Sequence, residues 1–419
     1  MTIDTSILAQ PIQLPFAKKE IKYRTLKAPM TERLSTWDEE DLSKRGRPTD
    51  ELVRLYETWA KGNLGVIVTG NVMVDAGHLE AKGNAIINKT DMYLPDFARV
   101  AKAIKTYGSL AIMQLSHAGR QVSSDIQKHP VSSSDVKCKD AMGTTFEKPT
   151  PLTKEGIKEV VDRFAYAAEV AYRAGFDGIQ LHGAHGYLLS QFLANDVNQR
   201  TDEYGGSLEN RSRIIFEIIA AIRRLVPDKS FSIQIKINSQ DFHEGGFSAE
   251  ECRLLCQLLE AAEVDMIDLS GGTYETLAFE HKRESTKKRE AFFLDFADQI
   301  RPNLHKTVLC VTGGFRSAKA MVDAIKGGSC DIVGLGRPVC TEPFLVRDML
   351  EGKIDRARPL ALPDQMELQI GAAVANIHDM GQGKPITDYS KKENVDAFLK
   401  SLGLGQEDNK TGTEQYQEK

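Results

Sequence analysis

Eight short apolar runs, each followed by a stretch of helical period, fill residues 23–350. The runs are Tyr23–Ala28, Gly65–Gly70, Leu110–Leu115, Gly178–Leu181, Phe231–Ile237, Met266–Leu269, Thr307–Val311 and Asp331–Leu335. Runs of this length read as buried strands. The helical stretches lie near Asp50–Lys61, Tyr93–Thr106, Lys154–Ala174, Ser207–Val226, Ser248–Ala262, Glu290–Ile300, Ser317–Lys326 and Glu342–Leu350. Strands alternating with helices in this number predict an α/β fold, a single (β/α)8 TIM barrel; a doubly wound open sheet is the alternative that the same pattern allows. Helix starts are signalled by Thr153 before Lys154-Glu155-Gly156, by Thr49 before Asp50-Glu51, and by Ser248-Ala249-Glu250-Glu251, which fits a capping box. The barrel is assigned residues 1–355. A helical C-terminal extension follows at 356–404, with a helix near Met366–Met380, and the polar residues 405–419 are expected to be disordered.

Composition narrows the function classes. The 419 residues are 41% hydrophobic and 27% charged, with a net charge of -5. Acids and bases are mixed, so there is no electrostatic case for nucleic acid or an anionic membrane surface. No apolar stretch reaches the length of a membrane span, and Met1–Ser6 does not read as a secretory signal; a cytoplasmic location is the expectation. The six cysteines are scattered and do not resemble a disulfide framework. Cys252 and Cys256 share a helix face and read as core. The long segment from Ser116 to Leu152 reads as a lid or pocket wall at the barrel mouth.

The chemistry-bearing residues gather at the ends of the expected strands. His182 and His185, with Tyr187 close behind, follow the run Gly178–Leu181. Imidazoles there can hydrogen-bond an oxygen that gains negative charge, and a phenol can deliver a proton; together they suit reduction of an activated double bond. The His182-x-x-His185 spacing also suits a metal, but the third ligand would have to be Asp241, His243 or Glu244, which spacing does not fix, so no metal is expected. Gln114 offers an amide that both donates and accepts, while His117 reads as a loop histidine bonded to backbone. Pro29 stiffens the exit of the first strand beside small Ala28, with Met30 and the Thr31 hydroxyl next. Gly313, Gly314 and Gly336 let backbone close around a phosphate, and Arg337 can neutralise it. Lys236, inside an apolar strand, must meet an anion or water, and on residue chemistry alone it leaves a Schiff-base lyase open.

The stretches His182-Gly183-Ala184-His185-Gly186-Tyr187 and Arg200-Thr201-Asp202-Glu203-Tyr204-Gly205-Gly206-Ser207-Leu208-Glu209-Asn210-Arg211, with Ala28-Pro29-Met30, Gln114-Leu115-x-His117-Ala118-Gly119-Arg120 and Gly334-x-Gly336-Arg337, stand in the order of a known family. Over roughly residues 10 to 350 the chain resembles the old yellow enzymes, FMN-dependent NAD(P)H oxidoreductases. The resemblance implies FMN, NADPH or NADH as hydride donor, and hydride transfer from flavin N5 to the C=C bond of an α,β-unsaturated carbonyl or nitro compound. It implies that Ala28, Pro29, Met30 and Thr31 line the flavin, that Gly70 meets the ring by its backbone, and that Gln114 binds the pyrimidine edge. His182 and His185 would hold the substrate oxygen, Tyr187 would be the proton donor, and Gly313, Gly314, Gly336 and Arg337 would cradle the phosphate. Lys236 departs from the family, which more often has Arg there; it keeps the positive charge beside the flavin and loses the planar fork. Arg33 falls near a position where some members place an aromatic substrate contact. A flavin-binding protein without turnover is the remaining non-enzymatic reading. The C-terminal segment leaves a homo-oligomeric interface open as one of its uses.

Overall fold

The computed structural model describes residues 3–141, 143–272 and 293–404. The start of the helix expected at Glu290 and the tail 405–419 lie outside the described residues. Eight parallel strands close into a barrel: β1 (Thr25–Lys27), β2 (Val66–Val68), β3 (Leu110–Ser116), β4 (Gly178–Gly183), β5 (Ser232–Asn238), β6 (Met266–Ser270), β7 (Val308–Thr312) and β8 (Ile332–Leu335). Each pairs with its sequence neighbour, and β8 pairs with β1 to complete the ring. The (β/α)8 expectation therefore stands, and the open sheet does not. Strand ends move by at most two residues from the sequence reading, because hydrogen bonding rather than apolarity ends a strand.

Helix starts follow their caps. The Thr49 and Thr153 hydroxyls accept from Leu52 N and Gly156 N, opening the helices Asp50–Ala60 and Lys154–Arg173. Ser248 and Glu251 complete the expected capping box of Ala249–Ala261. Such caps satisfy amides the helix cannot, each worth about 1 kcal/mol. Met366–Gly381 packs beyond the barrel on Asp50–Ala60 and on the short helix Arg337–Thr341.

The barrel interior changes character along its axis. At the N-terminal end Leu26, Val66, Ile112, Met266, Val308 and Ile332 form an apolar plug, closed from below by Leu14, Ala17 and Ile21. Toward the C-terminal end the inward positions turn polar. Gln180 is in register with Gln114 and Gln234, and one step higher His182 is level with Lys236, which is level with Asp268. Burying so many polar groups is costly unless they bind each other or a ligand. This end is where a barrel places its chemistry. All six cysteines are free and buried, Cys252 and Cys256 in the core under their helix.

Candidate functional site

His182 is the second-last residue of β4 and points into the barrel; His185 lies in the turn that follows. His185 takes a left-handed conformation, φ 60°, beside Gly186 at φ 78°. That turn is pinned by Asn238 Oδ1, which accepts from His185 N at 3.1 Å, and by Gln121 Nε2, which donates to His185 O at 2.9 Å. Gln191 ties it to the β3 loop, donating to both Gly186 O and Ala118 O. The two imidazoles meet edge to edge, His182 Nε2 to His185 Nδ1 at 3.1 Å. At the far side of His182, Nδ1 faces Asn71 Oδ1 at 2.8 Å and Ser116 Oγ at 3.2 Å. At the far side of His185, Nε2 faces Ser270 Oγ at 2.8 Å. Tyr187 is buried, its ring 4.7 Å from that of His182.

Both imidazoles are neutral at neutral pH. Burial, then the neighbouring His185 and Lys236, drives His182 well below its usual value. Burial and Lys236 bring His185 to about 3. His117, buried beside His78, also falls to about 3. A histidine of ordinary value 6.5 takes up a proton on unfolding when the pH is below that value, and these do not in the fold. Stability must therefore fall as pH drops from 6.5 toward 3. Between pH 7 and 5, His117 and His185 should each cost about 2 kcal/mol. Urea midpoints at the two pH values measure this against variants that lack His117 and His185; the same fall with and without the two residues would mean that their imidazoles are protonated in the fold.

Lys236 meets the anion its burial requires: Nζ lies 2.6 Å from Asp268 Oδ2, and both side chains are nearly sealed from solvent. Asp268 Oδ1 also accepts from Thr312 Oγ1 at 2.7 Å. Removing one member of such a pair strands the other charge. Lys236→Met should lower stability by about 3–5 kcal/mol. A denaturation midpoint near that of the unsubstituted chain would deny the pair its structural weight.

A second buried lysine escaped the sequence reading. Lys27 is fully buried, with Nζ 3.1 Å from Val68 O and 4.2 Å above the Trp59 ring. Burial depresses it to about 8. Its signal was the one that marked Lys236, a lysine inside an apolar strand. Glu32 was missed too; it accepts from Gly70 N at 2.9 Å and from the Tyr56 hydroxyl.

The residues expected at the flavin lie in or shortly after β1, β2, β3, β5, β7 and β8. Ala28 follows β1, with Pro29 and Met30 half-buried after it. The Thr31 side chain hydrogen-bonds Glu80. A Cβ on Gly70 would lie 2.5 Å from Met30 O and 2.1 Å from Glu32 Oε2, so glycine is required there by the close pass of the Met30 backbone. Gly313 and Gly314 adopt φ 133° and 93°, backbone open to few residues but glycine. A Cβ on Gly334 would strike Thr312 Oγ1 at 1.9 Å. Arg337 Nη1 donates to Gln369 Oε1 at 2.6 Å, joining this end of the mouth to the C-terminal helix.

Among the described residues four buried side-chain amide atoms lack a hydrogen-bond partner, Gln121 Oε1 in the loop after β3 and, level with one another inside the barrel, Gln114 Oε1, Gln180 Nε2 and Gln234 Oε1. Gln114 Nε2 is already given to Gln180 Oε1 at 2.8 Å. Orphaned buried groups of this kind mark a place where a polar ligand belongs. With the glycine-only turns of β7 and the β8 exit beside Arg337, they fit a flavin mononucleotide: amide groups for a heterocycle edge, open backbone and a cation for a phosphate.

One group among the described residues has metal-ligand atoms close together, Asp75, His78 and His117. Backbone N–H of Val131 donates to His78 Nε2 at 3.3 Å, and that of Gly119 to His117 Nδ1 at 3.0 Å. Each neutral ring then carries its proton on the inward nitrogen, so both offer N–H rather than a lone pair. The set holds the Asp75 carboxylate, with His78 Nδ1 at 3.0 Å, and is a clasp between loops. His117 is thus the backbone-bonded loop histidine the sequence suggested. Asp241, weighed as a third ligand for the His182–His185 pair, instead accepts from Asn238 Nδ2 and Phe247 N.

Among the described residues no helix is long and apolar enough to cross a membrane. Residues 8–356 match the NADH:flavin oxidoreductase / NADH oxidase family. The NADH-dependent flavin oxidoreductase nadA of Aspergillus parasiticus is 44% identical over 405 residues, 94% of this chain and 90% of the relative. Among solved structures, a 2-naphthoyl-CoA reductase superposes with a TM-score of 0.74 at 24% identity, over 84% of this chain and 54% of that one. An old yellow enzyme homologue from Zymomonas mobilis gives 0.70 at 20% identity, over 92% and 98%. Fold, family match and the relative agree: the chain belongs to the NADH:flavin oxidoreductase family, that of the old yellow enzymes, and is an oxidoreductase that uses FMN with NAD(P)H as reductant.

Proposed function

We propose that the chain reduces the C=C bond of α,β-unsaturated carbonyl or nitro compounds. The observation that carries this reading is the pair of neutral imidazoles, 3.1 Å apart edge to edge, with a buried phenol 4.7 Å from His182. FMN held there and reduced by a nicotinamide would supply hydride chemistry toward an electron-poor alkene carbon. The chain's own residues do the rest. N–H groups of His182 and His185 hold the carbonyl or nitro oxygen, which draws electron density from the β-carbon and favours hydride addition there. Tyr187 gives its hydroxyl proton to the α-carbon, completing net addition of hydride and proton across the double bond. Gln114 serves the heterocycle edge; Ala28, Pro29, Met30, Thr31 and Gly70 line its face. Lys236, held by Asp268, keeps a positive charge beside it, and Gly313, Gly314, Gly336 and Arg337 take the phosphate. NADH is the first donor to test, because the 44% identical relative is named for it.

The Schiff-base reading of Lys236 is disfavoured by the same geometry. An ammonium ion-paired at 2.6 Å to a sealed carboxylate has no free lone pair to attack a carbonyl. The deciding experiment is the visible spectrum of the purified protein under anaerobic conditions. A flavin band that bleaches with NADH or NADPH and returns on adding cyclohexenone supports the reading. A colourless protein that FMN does not reconstitute, or one trapped on Lys236 by borohydride with a carbonyl compound, sinks it.

A further inference from the structure

The proton count along the histidine pair implies a role for residues at its two ends. A neutral imidazole has one N–H and one lone pair, so each link must be shared consistently with the next. Asn71 Oδ1, an acceptor at 2.8 Å, holds the His182 proton on Nδ1. His182 Nε2 is then a lone pair and must accept from His185 Nδ1–H across the 3.1 Å gap. His185 Nε2 is in turn a lone pair, and Ser270 Oγ, 2.8 Å away, is the hydroxyl that donates to it. The chain runs one way: Ser270 to His185 to His182 to Asn71.

An oxygen bound where the two rings meet needs N–H from both. His185 already presents Nδ1–H, kept there by the Ser270 hydroxyl. His182 must move its proton to Nε2, and its Nδ1 must then accept from a donor. Ser116 Oγ, 3.2 Å away, is the hydroxyl placed to supply it. Ser116 and Ser270 are both buried, at the ends of β3 and β6. Burial is what lets them act, since water cannot stand in for the missing donor.

We infer that Ser270 and Ser116 are positioning residues that set the tautomers of His185 and His182 so that both rings turn an N–H toward one substrate oxygen. The inference rests on the function proposed above. Its experiment measures the dissociation constant of phenol, an enolate mimic, for the FMN-loaded protein by calorimetry, alongside ring ¹⁵N shifts of the histidines. Ser270→Ala should weaken phenol about tenfold, roughly the worth of one hydrogen bond. The proton of His185 should shift toward Nε2, and Ser270→Thr, which keeps the hydroxyl, should restore both readouts. Ser116→Ala should weaken phenol while leaving His185 on Nδ1–H. Unchanged phenol affinity in both alanine variants, with His182→Ala still impaired, would overturn the inference alone. Weakened affinity with unmoved ¹⁵N shifts would also overturn it, as a packing effect. Phenol affinity indifferent to His182→Ala and His185→Ala together would instead remove the histidine reading beneath it.

Discussion

Tyr187→Phe should leave FMN binding and reduction of the flavin by NADH intact while slowing reduction of cyclohexenone by about 10²–10⁴, the usual worth of a positioned general acid. The geometry separates the two half-reactions. Tyr187 sits in a small apolar cluster with Met73, Leu79, Ala118 and Val122, and phenylalanine keeps that packing of the ring. Losing the oxygen should therefore spare the fold and its FMN. The backbone of Tyr187 starts the helix Leu188–Leu193 and contributes no side-chain cap there, so phenylalanine fits the same backbone. Stopped-flow traces resolve the flavin's reduction from its reoxidation by the enone. An unchanged reoxidation rate would take Tyr187 out of the reaction.

His182→Ala combined with His185→Ala should abolish tight phenol binding and lower the rate of enone reduction by about 10²–10³ or more, since each lost oxyanion donor typically costs that much. The expected effect is large because the two rings are held in place and only the His182 proton has to shift. Four flanking groups, Asn71, Ser116, Asn238 and Ser270, fix the rings before any substrate arrives. Neutrality matters to the same end: the rings donate hydrogen bonds without demanding a bound counter-ion. The paired alanines should also relieve the acid sensitivity that His185 contributes between pH 6.5 and 3, so the variant should lose less stability from pH 7 to 5 than the unsubstituted chain. Retained phenol affinity in the double variant would place the substrate oxygen elsewhere.

Much of the fold was legible along the chain. Helix caps at Thr49, Thr153 and Ser248 act within three residues, so the sequence names both partners at once. The apolar strand runs were found for the same reason, whereas closure of the ring came from the β8–β1 pairing, since the same pattern allowed an open sheet. The stretch Arg200–Arg211, so specific to the family, turns out to be scaffolding. Arg200 ties the loop to Ser133 O and Leu152 O, and buried Arg211 binds Leu193 O and Glu251. A motif can thus identify a family while its residues touch no chemistry.

The site was legible in its lead actors and not in its supports. His182, His185, Tyr187, Gln114 and Lys236 each carry an unusual functional group for their position in the pattern. Asn71, Ser116 and Ser270 carry common ones, and nothing local distinguishes them from any other polar residue near a strand end. Gln180 and Gln234 stand in apolar strands as Gln114 does, a signal present in the sequence and passed over.

By itself the sequence determined the alternation of strands and helices, the caps that start the helices, the family, and the group of residues able to do redox and acid chemistry. Only the tertiary structure decided who binds whom: Lys236 with Asp268 across 32 residues, His185 with Ser270 across 85, and His182 with Asn71 across 111. The reason is physical. Period and capping are set by contacts a few residues apart, whereas side-chain partners inside a barrel are set by strand register, which exists only once the ring has closed.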